Sequence, residues 1–258
     1  MRHLRAILRI FLLVLWTGMV SLVFFPLRWL SALSPTTVMQ IQVGFFGAWA
    51  KGVAAIVGMR VRREGCPPSP PFVLVSNHLS YMDIILLATQ VNAFFVSKME
   101  VAHWPVLGFL ARSVNTIFVD RENRWDVPRV IEEMERVLRE GHGVVFFPEG
   151  TSSDGKDVLR FKSALFDAPI RMGYPVHAVA IGYQEAKGYP PASTSICWWG
   201  DMTFPDHLYR LLQMPWFEAT ATFGEGVQVR EDRREFARAT REAVRRGYRP
   251  APAHRSWE

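Results

Sequence analysis

His78 and Asp83 stand five positions apart in Ser76-Asn77-His78-Leu79-Ser80-Tyr81-Met82-Asp83. An imidazole held by a carboxylate is a general base. It takes the proton of a hydroxyl while the carboxylate fixes one ring nitrogen and stabilises the imidazolium that forms. A separation of five does not put two side chains on one helix face. The pairing therefore requires His78 in a loop and Asp83 in the first turn of the helix that follows. The apolar run Phe72–Val75 is the strand that leads into this loop. Ser80-x-x-Asp83 also matches a capping box, in which Ser80 caps the helix and Asp83 reaches back. Asp83 thus has a structural reading beside the chemical one.

A second candidate is Phe147-Pro148-Glu149-Gly150-Thr151-Ser152-Ser153, after the apolar run Val144–Phe147. Glycine and small hydroxylic residues expose backbone N–H groups that suit a phosphate or another anion. An ordinary glycine turn with Glu149 in solvent explains the same residues. Three cations join the set. Arg121 closes Ile117-Phe118-Val119-Asp120-Arg121 and can clamp a phosphate with two parallel bonds, or pair with Asp120 or Glu122. Lys98 after Phe95-Val96-Ser97, and Lys162 in Arg160-Phe161-Lys162, read either as anion ligands or as surface cations.

Such residues must be brought together by strands that end near one another. From Pro71 onward, strand-like and helix-like runs alternate. The strand-like runs are Phe72–Val75, Phe94–Ser97, Thr116–Val119, Val144–Phe147, Val176–Ile181, Ser195–Trp199 and Glu218–Phe223. Asp83–Gln90 and Val127–Glu140 are helix-like. The second carries Val130, Met134, Val137 and Leu138 at helical spacing, with Asp126 at its start and Gly141 at its end. This alternation predicts a mixed α/β fold with a largely parallel central sheet flanked by helices. The tail from Arg230 to Arg249 predicts a basic helix that faces solvent or anionic lipid.

The N-terminus is a membrane segment. Ile10 to Pro26 carries no charge; Arg2, Arg5 and Arg9 precede it and Arg28 follows. Its length is near the lower limit for a spanning helix. Pro26, Arg28 and Trp29 occupy the place of a cleavage site, so the segment reads as an uncleaved anchor. Ser34-Pro35-Thr36-Thr37 is a turn. Met39 to Met59 then reads as a second helix along the membrane face. Val61 to Pro71, basic and then proline-rich, reads as a linker. The expected organisation is a two-helix membrane motif over residues 1–60 and a catalytic domain with a basic C-terminal helix over residues 61–258.

The net charge of +6 fits nucleic acid or an anionic membrane. Nine Trp, eighteen Phe and 49% apolar residues favour the membrane, and no nucleic-acid-binding signature is present. Cys66 and Cys197 form neither a disulfide framework nor a metal-ligand pattern, and read as free thiols on the cytosolic side.

Asn77-His78-x4-Asp83, Ile117 to Arg121 and Phe147-Pro148-Glu149-Gly150-Thr151, in this order and spacing, resemble the glycerolipid acyltransferase family, in particular its 1-acylglycerol-3-phosphate acyltransferases. Phe95-Val96-Ser97-Lys98-x-Glu100, Pro105, Gly108 and Pro175 to Ile181 extend the likeness over the central part of the chain. The resemblance implies that His78 is the general base on a glycerol-type hydroxyl and Asp83 its orienting partner. The hydroxyl would attack the thioester of acyl-CoA or acyl carrier protein, with neither metal nor resident cofactor. Asn77, Lys98, Arg121, Glu149, Gly150, Thr151 and Lys162 would bind the acceptor. The implied location is the inner membrane, with the catalytic domain facing the cytoplasm.

The chain departs from the family pattern in several places. Ser152 stands where the family has Arg after the Thr, and Asn115 where its second motif opens with Gly. Phe161-Lys162-Ser163-Ala164 lacks a second Lys and a Gly, and Ala178 replaces a second Pro. 1-Acylglycerol-3-phosphate is the leading acceptor, but the missing Arg weakens the case for a phosphate monoester. Phe147 to Gly155 and Trp199-Gly200-Asp201-Met202 resemble the bacterial branch that acylates lyso-ornithine lipid, the runner-up. Two readings of other classes remain beside these: a non-catalytic lipid-binding protein on the same scaffold, and a thioesterase using the same base on water.

Overall fold

A computed structural model describes residues 1–30, 35–105, 107–120 and 123–250. Two helices open the chain, α1 (Arg2–Leu30) and α2 (Pro35–Val57). Next come β1 (Met59–Glu64), β2 (Val73–Ser76), α3 (Met82–Gln90), β3 (Ala93–Lys98), α4 (Met99–Ala102), α5 (Leu107–Ser113) and β4 (Ile117–Val119). The remainder is α6 (Val127–Arg139), β5 (Gly143–Phe146), α7 (Asp167–Met172), β6 (Val176–Glu185), α8 (Ala192–Ser195), α9 (Phe204–Gln213), β7 (Phe217–Val227) and α10 (Arg233–Gly247). The expected turn at Ser34 lies outside the described residues.

The seven strands form one sheet in the order β1-β7-β6-β2-β5-β3-β4. Strands β6, β2, β5, β3 and β4 are parallel, β7 runs antiparallel to β6, and β1 is parallel to β7. The central strands β2 and β5 are buried on both faces. That is why they read as unbroken apolar runs rather than alternating ones. Alternate residues of these strands and of β6 feed two cores. Leu74, Val145, Val179 and Ile181 pack with Leu86, Leu87, Leu211 and Phe217 on one face. Val73, Val75, Phe146 and Ala178 pack with Met134, Leu138, Phe166 and Phe236 on the other.

Three expectations are corrected. Met59–Glu64, inside the stretch taken as anchor and linker, is an edge strand pairing Met59 with Phe217 through Glu64 with Thr222. Its four central residues are exposed, so it lacks the alternation that marks a half-buried strand. Ser195–Trp199 is not a strand. It is the end of α8 and a following turn, in which Cys197 N–H donates to the Ala192 carbonyl (2.8 Å) and Trp198 N–H to the Leu79 carbonyl (2.8 Å). The apolar run reflects burial of Ile196 and Cys197, not sheet pairing. Finally, β6 continues four residues past Ile181, to Glu185.

Helix α1 is long and apolar enough over Arg2–Pro26 to cross a membrane. One side of it docks on the rest of the protein. Arg5 donates to the Gln213 carbonyl (2.8 Å), and Arg9 to the carbonyls of Leu212 (3.2 Å), Met214 and Pro215 (2.8 Å). These guanidiniums satisfy carbonyls that the end of α9 leaves without helical partners. Midway, Trp16 Nε1 donates to the Trp49 carbonyl and Trp49 Nε1 to Thr17 Oγ1, both at 3.0 Å. Near its end, Phe25 meets Phe109 of α5 with ring centroids 5.5 Å apart. The opposite side, with Leu4, Leu8, Phe11, Leu15, Met19 and Leu22, is exposed at helical spacing.

Candidate active site

Strand β2 delivers the chain to Asn77, whose side chain acts as an extra rung of the sheet. Asn77 Nδ2 donates to the Ile181 carbonyl (2.9 Å), and Ile181 N–H donates to Asn77 Oδ1 (2.8 Å). Asn77 is buried. Its amide is committed to β6 and not presented to an acceptor, so it positions the loop that carries His78.

His78 and Asp83 meet as their types suggested: Nδ1 lies 2.7 Å from Asp83 Oδ2. The same oxygen accepts from Leu79 N–H (2.7 Å) and Ser80 N–H (3.0 Å), while Oδ1 accepts from the Tyr183 hydroxyl (2.6 Å). Four donors surround a carboxylate with no solvent exposure. Such a group is tolerated in a core because its lone pairs are filled. A carboxylate only accepts, so the proton of the His78–Asp83 bond sits on Nδ1 and Nε2 is left with its lone pair. The imidazole stacks on Phe147, ring centroids 4.4 Å apart, and keeps 19% of its side chain open to solvent.

Only half of the expected capping box forms. Asp83 reaches back to the Ser80 amide, but Ser80 Oγ is buried without a partner among the described residues. Asp83 N–H donates instead to the Ser80 carbonyl (3.1 Å). The helix starts one residue later than the box requires, with Tyr81 as its first flanking residue.

Tyr183 was not anticipated. It lies 100 positions from Asp83, buried near the C-terminal end of β6, where a tyrosine looks like any other core residue. Burial first, and the charge of Asp83 second, push the phenol well above its usual range, so it serves as a donor. Removing that donor in Tyr183→Phe leaves Asp83 with three. We expect kcat to fall about threefold to tenfold with KM unchanged, and stability to fall by about 1 kcal/mol. Steady-state kinetics and urea unfolding measure the two losses.

The second loop follows β5. Glu149 is not in solvent, as a plain glycine turn would have it; it is 4% exposed. Its Oε1 accepts from Leu159 N–H (3.0 Å) and its Oε2 has no partner among the described residues. Burial pushes its carboxyl up to about 8, against the opposing pull of the Leu159 and His78 amides. The folded value lies above the unfolded one, so folding holds the proton. The stability of the protonated form is fully present below about 4.5 and is lost as pH rises through 8. A Glu149→Gln variant should therefore show a flatter thermal midpoint than wild type between pH 5 and pH 8.5, measured by calorimetry.

Gly150 has φ +75°, and a Cβ there would lie 2.8 Å from Lys162 Nζ. Glycine satisfies both the left-handed backbone and the close passage of the lysine. Lys162 is held by its own N–H donating to the Pro148 carbonyl (2.8 Å). The structure thus gathers Glu149, Gly150 and Lys162, with Thr151 exposed beside them. Ser153 N–H donates to the His78 carbonyl (3.0 Å), which joins this loop to the first. Ser152 Oγ donates to the Trp198 carbonyl, and Trp198 N–H to the Leu79 carbonyl, so the turn after α8 fastens both. Lys98 closes β3, two strands from β2 and at the same C-terminal end of the parallel strands. Arg121 lies outside the described residues.

Residues 58–182 match the family model described as Acyltransferase. The chain is 36% identical to a lyso-ornithine lipid O-acyltransferase of Rhodobacter capsulatus, over 75% of this chain and 71% of that one. It is 34% identical to one of Brucella abortus, over 92% and 93%. A 1-acyl-sn-glycerol-3-phosphate acyltransferase of Neisseria gonorrhoeae is 35% identical over 65% of each chain. The crystal structure of the 1-acyl-sn-glycerophosphate acyltransferase of Thermotoga maritima has the same fold, with a TM-score of 0.68 over 96% of both chains at 22% identity.

Proposed function

This chain belongs to the acyltransferase family, and from that premise we propose that it is a membrane-bound O-acyltransferase acting on the free hydroxyl of a lysolipid. The observation that carries this reading is the 2.7 Å bond between His78 Nδ1 and a fully buried Asp83, with the other ring nitrogen left to act. His78 Nε2 takes the proton of the acceptor hydroxyl as its oxygen attacks the thioester carbonyl of acyl-CoA or acyl carrier protein. The tetrahedral intermediate collapses, the C–S bond breaks, and the imidazolium returns the proton to the departing thiolate. The acceptor is itself the nucleophile, so no acyl-enzyme forms. Lys162 beside Gly150, with Lys98 and Arg121, supplies positive charge for an anionic headgroup.

Two acceptors fit this chemistry. Lyso-ornithine lipid is supported by likeness to the Brucella enzyme over nearly the whole chain and by Ser152, whose hydroxyl is engaged by Trp198 where the family carries a guanidinium. 1-Acylglycerol-3-phosphate is supported by the Neisseria relative and by the lysine over Gly150. Acyl transfer from each labelled donor to each acceptor, by membranes containing the protein, tests both. Acyl release without any acceptor would favour a thioesterase instead.

The membrane contact follows from α1. Its 29 residues, about 44 Å long, touch the end of α9 near the start, α2 at the middle and α5 near the end. A helix held against the protein at its start, middle and end lies in one leaflet with its exposed apolar residues in lipid. In a Cys66→Ser background, Arg2→Cys and Thr37→Cys should react with an impermeant thiol reagent from the same side of membrane vesicles. Reaction from opposite sides would mean that α1 spans. The inner membrane, with the catalytic domain on the cytoplasmic side, is the expected setting.

A further inference from the structure

The loop after Ser153 holds an ion pair that the acyl-transfer chemistry does not use. Asp154 Oδ2 lies 2.7 Å from Lys156 Nζ, and Lys156 N–H donates to Asp154 Oδ1 (3.2 Å). The lysine side chain is 88% exposed, whereas the aspartate keeps 21%. A partly buried carboxylate is thus reached from solvent by a primary alkylammonium.

The loop is fixed against the catalytic residues on both sides of Asp154. Ser153 N–H donates to the His78 carbonyl. Gly155 packs so closely that a Cβ there would lie 3.5 Å from Leu79 Cδ2 and 3.0 Å from the Tyr248 hydroxyl. Tyr248 donates to the Gly155 carbonyl, Arg245 pairs with Asp157 (3.0 Å), and Arg241 donates to the carbonyls of Val158 and Leu159. These residues come from α10 and its end, so the carboxylate is held in place before any ligand arrives.

We propose that Asp154 determines acceptor specificity by taking the cationic end of a zwitterionic lysolipid headgroup, with Lys156 Nζ marking where that ammonium sits. This rests on the reading of the protein as a lysolipid acyltransferase. An amino-acid headgroup such as ornithine offers a primary ammonium and a carboxylate, whereas a glycerol phosphate offers only an anion. The anionic end falls to Lys162 beside Gly150, at the other side of the same loop. Lys156 has no pocket of its own and swings out when the ligand ammonium replaces it. Ser152, two positions before Asp154, contributes no positive charge that would repel it.

The test is kcat/KM for lyso-ornithine lipid and for 1-acylglycerol-3-phosphate with one donor, in wild type and three variants. Asp154→Asn should lower the value for lyso-ornithine lipid about tenfold, through KM, as expected for loss of a charge-assisted hydrogen bond, and leave or raise that for the phosphate acceptor. Asp154→Glu should recover part of the loss. Lys156→Ala should leave or raise transfer to lyso-ornithine lipid, since it removes a competing ammonium. Equal effects of Asp154→Asn on both acceptors, or none on either, overturn the proposal, as does a wild type that acylates only the phosphate acceptor. A wild type that acylates neither overturns the acyltransfer reading itself.

Discussion

Acyl transfer by a His78→Ala variant is expected to fall about 10³-fold, in the range of a lost general base, while the protein stays folded. The imidazole is at the surface of its site and contributes one of four donors to Asp83. Its removal leaves the carboxylate with the Leu79 and Ser80 amides and the Tyr183 hydroxyl. The stability cost is then about 1 kcal/mol, the loss of one hydrogen bond and a ring contact. Initial rates with saturating donor, together with the thermal midpoint, separate the two effects. A variant that transfers acyl chains as fast as wild type would return the molecule to the reading of a lipid-binding scaffold.

An Asp83→Asn variant should lose both rate and stability. The rate should fall about 10²-fold to 10⁴-fold, because an amide neither stabilises the imidazolium nor enforces the Nδ1 proton. The stability should fall by about 2–4 kcal/mol. An amide nitrogen must face donors on one side or the other: the His78 ring and two backbone amides, or the Tyr183 hydroxyl. The cap and the catalytic partner are therefore not alternatives that a single substitution can tell apart. Both use Oδ2. Comparison with His78→Ala resolves them, since only the Asp83 variant should move the unfolding midpoint strongly. An Asp83→Asn enzyme within a few fold of wild type would sink the role of Asp83 in orienting the base.

The local parts of this architecture were legible in the sequence. His78, Asp83, Glu149 and Gly150 sit in loops directly after apolar runs, so strand, loop and side chain are read from one short window. The helix from Val127 is equally plain, because its apolar residues repeat at helical spacing. What escaped depends on contacts across the sheet. Asn77 looked like an acceptor ligand, and only its pairing with Ile181 reveals an extra rung. Tyr183 has no local signal of its role. The edge strand Met59–Glu64 was hidden by its arginines, which suit an exposed edge and discourage pairing with another chain. The run Ser195–Trp199 misled because a buried turn and a buried strand share a composition.

Strand β6 has a consequence in time as well as in space. It supplies Ile181 to Asn77 and Tyr183 to Asp83, across sequence separations of 104 and 100 residues. During synthesis the histidine loop therefore leaves the ribosome well before the residues that hold it. Contacts of such separation form late, after the cost of closing the intervening chain has been met. A nascent chain or proteolytic fragment that ends before β6 carries His78 and Asp83 but lacks the clamp that aligns them. The histidine and the aspartate are thus fully held only once β6 has joined β2.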